Sequence, residues 1–419
     1  MTVVRNIHRP VLKAIGNGIE VGFGDTSSWI SFWNNKVDTW YNEFGYDTFT
    51  PVAVSANDMT DIQYYYQSDI NPESVYNQYV LAFRWGEVLL SDDNGETYKY
   101  KNRWFGKNRV ENSRIFSDGS VMWATCDGIF YSHDFLATIN ASTILDASGN
   151  PYTPPLAIAN NFRSIMYSDR ATIGGYEIYV WGTYVNVNEA NAPSIIFYTR
   201  DKGATVKICY EFGQNASYGN YGDPANPLTV RHFHCINYNP TDGYFYAQTG
   251  DGLLSATDCR WMRGSYNATS DVWTWTQVAN GANTTPFKSA GLVFIGNDLY
   301  VVSDATGDNT KWNIMKGDYS DLSNLAKYSR VYIGANVASN GKRYANGDFI
   351  MGEGASNKII ISKDAMQTFA VDTIVDAAFV AGYSFTRFSD KRNDGWILCN
   401  YTDSGIVFRM FYHCWIKIK

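Results

Sequence analysis

From about residue 51 to the end of the chain, short runs of apolar and aromatic residues are separated by Gly, Asn and Asp. Such runs predict strands, in which successive side chains leave opposite faces. The clearest unit spans 79–98: two strand-like runs joined by a tight turn, then Ser91, Asp93, Gly95 and Thr97 at alternate positions, then the aromatic Tyr98. A second copy carries Thr199, Asp201, Gly203 and Thr205, and a third carries Ser362, Asp364 and Thr368 with the glycine replaced. Weaker copies place Ser132 with Asp134 and Ser255 with Asp258, and the faintest holds Asp318. Successive aspartates lie 41 to 67 residues apart. An upstream strand recurs as well: Arg114 to Gly119 resembles Arg343 to Gly347 and Arg387 to Asp390, with looser versions after Arg163 and Arg231. The predicted unit is therefore four strands, with the acidic turn between the third and the fourth.

One such unit makes a four-stranded antiparallel sheet with two faces to cover and an edge to protect. Radial packing of the sheets covers both. The fold expected is all-β, a propeller of seven four-stranded blades, or six if the first unit only completes the last. A hairpin at 395–411 without an acidic turn, followed by 414–418, would be the seventh unit. Composition agrees: aromatic residues make up 16% of the chain and charged residues only 18%, a balance that suits strands better than long helices.

The segments with Ser or Thr, Asp, Gly, Thr and an aromatic at these spacings resemble the Asp boxes of sialidase-type and BNR-repeat propellers. The whole unit is still more similar to repeats common in bacteriophage tail and fibre proteins. The box itself has a structural reading: Ser91 and Asp93, Thr199 and Asp201, and Ser362 and Asp364 can bond within the turn, while Gly95 and Gly203 allow backbone angles that other residues resist. Residues 1–26 are apolar, basic and punctuated by glycine. They resemble short leaders of phage tail-associated proteins, which implies an attachment segment at 1–26 and a propeller at 27–419; an ordinary first strand and turn is the other reading.

Charge narrows the function. A formal net charge of −7 disfavours broad nucleic-acid binding, which needs a basic surface. No stretch approaches the ~18–20 apolar residues of a membrane span, and the first residues lack a secretory pattern. The six cysteines show no paired spacing and are expected to be mostly free, buried thiols. Arg114, Arg163, Arg231, Arg343 and Arg387, with Lys288 near the matching place, are expected near the axis at one mouth of the channel. There they either bind an anion or bridge blades through carboxylates. His232 and His234 share a strand face but lack a third metal ligand. Tyr218 and Tyr221 in a polar loop and the pair Trp273 and Trp275 are candidate glycan or protein contacts; alternation also allows both tryptophans to cover a neighbouring blade.

The leading expectation is a non-enzymatic virion component of a phage tail, structural or receptor-binding. It would be made in the host cytoplasm, be present in multiple copies, dock to other tail proteins through 1–26 and meet a host-surface glycan or protein. No cofactor or metal is expected. The alternatives are a sialidase-like hydrolase or polysaccharide lyase acting on an acidic glycan, and an intracellular scaffold propeller.

Overall fold

A computed structural model of the chain describes residues 110–125, 128–154, 167–184, 193–212, 230–250, 259–304, 313–334, 338–344, 346–353 and 358–373, together with short strands within 14–103 and 383–418. Among these residues there is no α-helix, only two single 3-10 turns at Tyr319–Asp321 and Leu325–Lys327.

The strands form a two-stranded ribbon and seven larger sheets, five of four strands and two of five. Sheet I holds Tyr65–Gln67, Val80–Arg84, Glu87–Ser91 and Lys99–Arg103. Sheet II holds Val110–Ile115, Val121–Thr125, Gly128–Ser132 and Asn140–Ala141. Sheet III is built on Arg170–Ile173, Tyr176–Gly182, Ser194–Thr199 and Thr205–Phe212. Sheet IV is built on His232–Asn239, Tyr244–Gly250, Cys259–Asn267 and Val272–Gly281. Sheet V comprises Ser289–Ile295, Asp298–Ser303, Asn313–Asp318 and Ser329–Ile333. Sheet VI comprises Ala338–Arg343, Phe349–Glu353, Lys358–Ser362 and Ala370–Thr373. In these six sheets the four strands pair antiparallel in chain order.

Sheet VII differs. Its first three strands, Tyr383–Lys391, Trp396–Asp403 and Phe411–Ile418, are completed by Ile30–Asn34 from the other end of the sequence. That strand runs antiparallel to the last one, with Trp33 opposite Trp415. Residues near the start therefore complete the last sheet, and a separate sheet I follows. Two further strands knit neighbours together: Thr143–Leu145 lies parallel to the fourth strand of sheet III, and Tyr167–Ser168 parallel to the first strand of sheet IV.

The first strands of successive sheets lie against one another from IV through V and VI to VII, and VII meets I as I meets II. Apolar clusters fill the spaces between the sheets. Phe116, Met122 and Ala124 of sheet II pack with Tyr179, Trp181 and Phe197 of sheet III, and Tyr300, Val302 and Ile314 of sheet V pack with Met351, Ile360 and Met366 of sheet VI. Because inner strands are covered on both faces, their burial is continuous: every residue of Val121–Thr125 and of Ser194–Thr199 is buried. Alternation survives in the fourth strands, as in the first half of Val272–Gly281.

Candidate functional site

The acidic turn has the same geometry in three sheets. In sheet II, Ser132 Oγ donates to Asp134 Oδ1 at 2.9 Å and accepts from Leu136 N at 2.7 Å. Asp134 then accepts from Thr138 N at 2.9 Å and Thr138 Oγ1 at 2.7 Å. In sheet III, Thr199 Oγ1 donates to Asp201 at 3.0 Å and accepts from Gly203 N at 2.9 Å, and Thr205 N donates to Asp201 at 2.8 Å. In sheet VI, Ser362 Oγ donates to Asp364 at 2.9 Å and accepts from Met366 N at 2.9 Å, while Thr368 N and Oγ1 both donate to Asp364 at 2.9 and 2.5 Å. Bonds from the Thr138 backbone and hydroxyl hold the Asp134 carboxyl down at about 2, and Thr368 lowers Asp364 in the same way. These carboxylates are engaged in folding their turns.

Asp318 ends the third strand of sheet V but makes a different turn. It caps a 3-10 turn, accepting from Ser320 N at 2.9 Å and Ser320 Oγ at 2.6 Å. Lys316 stands where the box has its hydroxyl, so the ring of bonds cannot close. Asp93, Gly95 and Asp258 lie outside the described residues, as does the side chain of Ser91.

Arg114 and Arg343 do not occupy equivalent positions. Val121 faces Ser132 and Phe349 faces Ser362, so these two positions are equivalent across sheets II and VI. Arg343 pairs with Phe349, whereas Arg114 pairs with Met122, one step away. Lys342, opposite Ile350, is thus the match of Arg114, and Arg343 matches Ile115. A one-residue shift reverses the face on which a side chain leaves its strand. Arg231 and Lys288 precede the first strands of sheets IV and V, at the opposite end of the strand from Arg114 and Arg343. The backbone of Arg387 pairs with Asn400; its side chain, with Arg163, Tyr218 and Tyr221, lies outside the described residues. The offset lies in the spacing to the turn: Arg114 stands five residues before Gly119 and Arg343 four before Gly347, two glycines of positive φ at matching places in their hairpins.

The Arg114 guanidinium lies 5.5 Å from the ring centroid of Tyr179 in sheet III, whose hydroxyl donates to Asn112 at 2.7 Å. Arg170, outside the recurring set, forms an ion pair within sheet III and a hydrogen bond across to sheet II. Arg170 Nη1 donates to Ile115 O of sheet II at 3.1 Å and pairs with Glu177 at 3.2 Å. Glu177 in turn accepts from Ser117 N and Oγ at 3.1 and 2.9 Å. Arg170 lies seven residues after Arg163 and was not among the arginines expected from the sequence.

At the starting ends of the first strands, sheets III, IV and V bring together a buried polar cluster. The Tyr184 ring stacks on His232 at 3.7 Å with 17° between planes, and His232 lies 5.2 Å from His234. His234 Nδ1 is 3.0 Å from the Ser289 carbonyl and 3.7 Å from Asp304 Oδ2, which Lys288 Nζ also approaches to 3.3 Å. His232, His234 and Lys288 are 0, 1 and 7% exposed. Gly250 makes room, since a Cβ there would sit 2.0 Å from the His234 ring. The His234 imidazole and the Lys288 ammonium thus face one carboxylate, with His232 and the Tyr184 ring stacked beside them. Among the described residues, no group of three or more His, Cys, Asp or Glu is placed to hold a metal ion. Cys209, Cys235 and Cys259 are free thiols.

Trp273 and Trp275 stack at 5.4 Å and 14° and turn toward sheet III. Trp273 meets Tyr198 at 5.5 Å, and Trp275 meets Tyr210 at 6.3 Å. Beyond them, Asp271 at the hairpin tip accepts from Tyr198 at 2.9 Å, Tyr266 at 2.6 Å and Lys207, and pairs with Arg200 at 3.4 Å. Against the opposing effect of burial, bonds from Lys207, Tyr266 and Tyr198 keep the Asp271 carboxyl below its usual range. Burial and the bond to Asp271 push the Tyr266 hydroxyl up to about 12. The tryptophans are part of the contact between two sheets.

Sheets of this kind, packed face to face through their first strands, define a β-propeller fold. Streptogramin B lyase has a similar fold, with a TM-score of 0.50 and 10% identity over 87% of this chain and 96% of that one. YCF48 from Cyanidioschyzon merolae gives 0.48 and 13% over 85% and 94%, and YCF48 bound to D1 peptide gives 0.48 and 12% over 82% and 91%. At such identities the likeness is one of fold. No family model and no curated protein matches the chain.

Proposed function

We propose that this chain is a seven-bladed, non-enzymatic propeller of a bacteriophage tail, acting as a structural or receptor-binding component and docking through residues 1–26. The supporting observation is the acidic turn, repeated with the same bonds at Asp134, Asp201 and Asp364. It favours the Asp-box reading on which the resemblance to phage repeats rests, and it gives the recurrent carboxylates a folding role in place of a catalytic one. Seven sheets of four or five strands fit seven blades. The test is to ask whether the chain copurifies with phage particles and whether a chain lacking 1–26 is excluded from them. Absence of the full-length chain from particles would defeat the tail reading. Turnover of an acidic glycan by the purified chain would instead favour the hydrolase or lyase alternative.

A further inference from the structure

The fourth strand of sheet IV, Val272–Gly281, is unlike the other outer strands. It has ten residues, none of them charged and none proline. The fourth strands of sheets II, V and VI have two, five and four residues. Sheet III has an eight-residue fourth strand, and there Thr143–Leu145 is laid along its outer edge. Val272–Gly281 pairs with Cys259–Asn267 on one side and ends its sheet on the other. Among the described residues no backbone hydrogen bond reaches its outer edge.

A long strand edge presents a row of amide and carbonyl groups ready to pair, and proteins usually blunt such edges with charge, proline, shortness or a cover. Here the ladder runs evenly from Val272 to Gln277, and its register shifts only beyond that point. The side chains also favour pairing. Val272 is 54% exposed, Thr274 and Thr276 are exposed on the same face, and Trp273 and Trp275 are held against sheet III on the other.

We propose that the outer edge of residues 272–276 pairs antiparallel with the same strand of a second copy of this chain, about a two-fold axis at Thr274. An antiparallel pair of identical strands is self-complementary, as a two-fold interface requires. In this register Thr274 meets Thr274, Val272 meets Thr276 and Trp273 meets Trp275. Every pair keeps its face, β-branched residues oppose one another, and no like charges meet. With no charged side chain on the strand, pairing with a second copy meets no like-charge repulsion. The inference stands independently of the tail reading.

The test is light scattering of the full chain across a concentration series, combined with hydrogen exchange of the 272–276 amides. The expected result is a monomer–dimer equilibrium in which the alternate amides of this stretch that point away from Cys259–Asn267 slow as the dimer fills. Thr274→Lys, which sets two ammonium groups face to face at the axis, should weaken the dimer at least about tenfold. A chain that stays monomeric throughout would overturn the proposal. So would a dimer in which those outward amides exchange as in the monomer, or a folded Thr274→Lys chain that dimerises as well as the wild type. If Thr274→Lys does not fold, hydrogen exchange of the unaltered chain decides.

Discussion

At the residue scale the acidic turn depends on two consecutive left-handed residues. Phe135 and Leu136 have φ of 53° and 70°, Lys202 and Gly203 have 60° and 97°, and Ala365 and Met366 have 56° and 66°. The glycine in the sequence pattern reads as a backbone necessity, yet leucine and methionine occupy the same conformation. The preceding sheet sets the difference. Leu136 and Met366 are fully buried and insert among residues of sheets I and II and of sheets V and VI, respectively. At Gly203 a Cβ would come within 2.7 Å of Met122 Cγ of sheet II, so that space is already taken. A left-handed residue with a side chain costs about 1–2 kcal/mol. Leu136→Ala and Leu136→Gly should each lose about 2–5 kcal/mol of burial, with the glycine variant the more stable by about 1 kcal/mol. Chemical denaturation measures both, and the reverse order would refute the backbone account. The Asp134 carboxyl makes a pH prediction. Its value falls from 3.8 to about 2 on folding, so its contribution is complete above 3.8 and is lost as pH falls toward 2. Asp134→Asn should melt below the wild type at neutral pH, and the gap should narrow between pH 4 and 2. A constant gap across that window would show that the ionised carboxylate is not what stabilises the turn.

At the element scale a recurring device is an aromatic ring laid over a glycine of an adjacent strand, a use of strand glycine that permits close approach. Trp275 covers Gly264, its direct cross-strand partner, and a Cβ there would sit 2.6 Å from the ring. The Tyr328 ring lies over Gly317 and the Phe349 ring over Gly341 in the same manner. Trp275→Ala would uncover Gly264 and strip the stack from Trp273 and Tyr210. It should destabilise the fold by about 3 kcal/mol, measured by denaturant unfolding; a loss below about 0.5 kcal/mol would mean that the ring serves something other than the contact with sheet III. The shared face of Trp273 and Trp275 was legible in the sequence because strand alternation is a local rule. The arginine positions were not. Arg114 and Arg343 look equivalent in sequence, but one stands five and the other four residues before its turn glycine, and the pairing within each hairpin is what turns that one-residue difference into a change of face. The cluster of Tyr184, His232, His234, Lys288 and Asp304 was hidden for a related reason: three sheets contribute to it, and no short motif spans them.

At the scale of the whole molecule, the repeat of the acidic turn made the sheets legible, since Asp134, Asp201 and Asp364 mark the same junction in three of them. Closure was less legible, because Ile30–Asn34 carries no repeat mark and pairs with residues at the far end of the chain. This strand separates two roles for the start of the sequence. If residues 1–26 serve attachment and 30–34 serve closure, two truncations should part company. Removing 1–26 should leave the melting temperature near that of the full chain, since Ile30–Asn34 still pairs with Phe411–Ile418. Removing 1–34 should lower melting and promote aggregation. It would leave sheet VII one strand short, with the eight-residue edge of Phe411–Ile418 open to other chains, and an exposed strand edge of that length is a template for association. A synthetic peptide covering 28–36 should then restore part of the lost stability by supplying the missing strand. Calorimetry and light scattering of the two truncated chains read both effects. Equal melting of the two chains would remove closure by 30–34, and failure of the 1–26 deletion to fold would place that segment within the propeller and remove the attachment role.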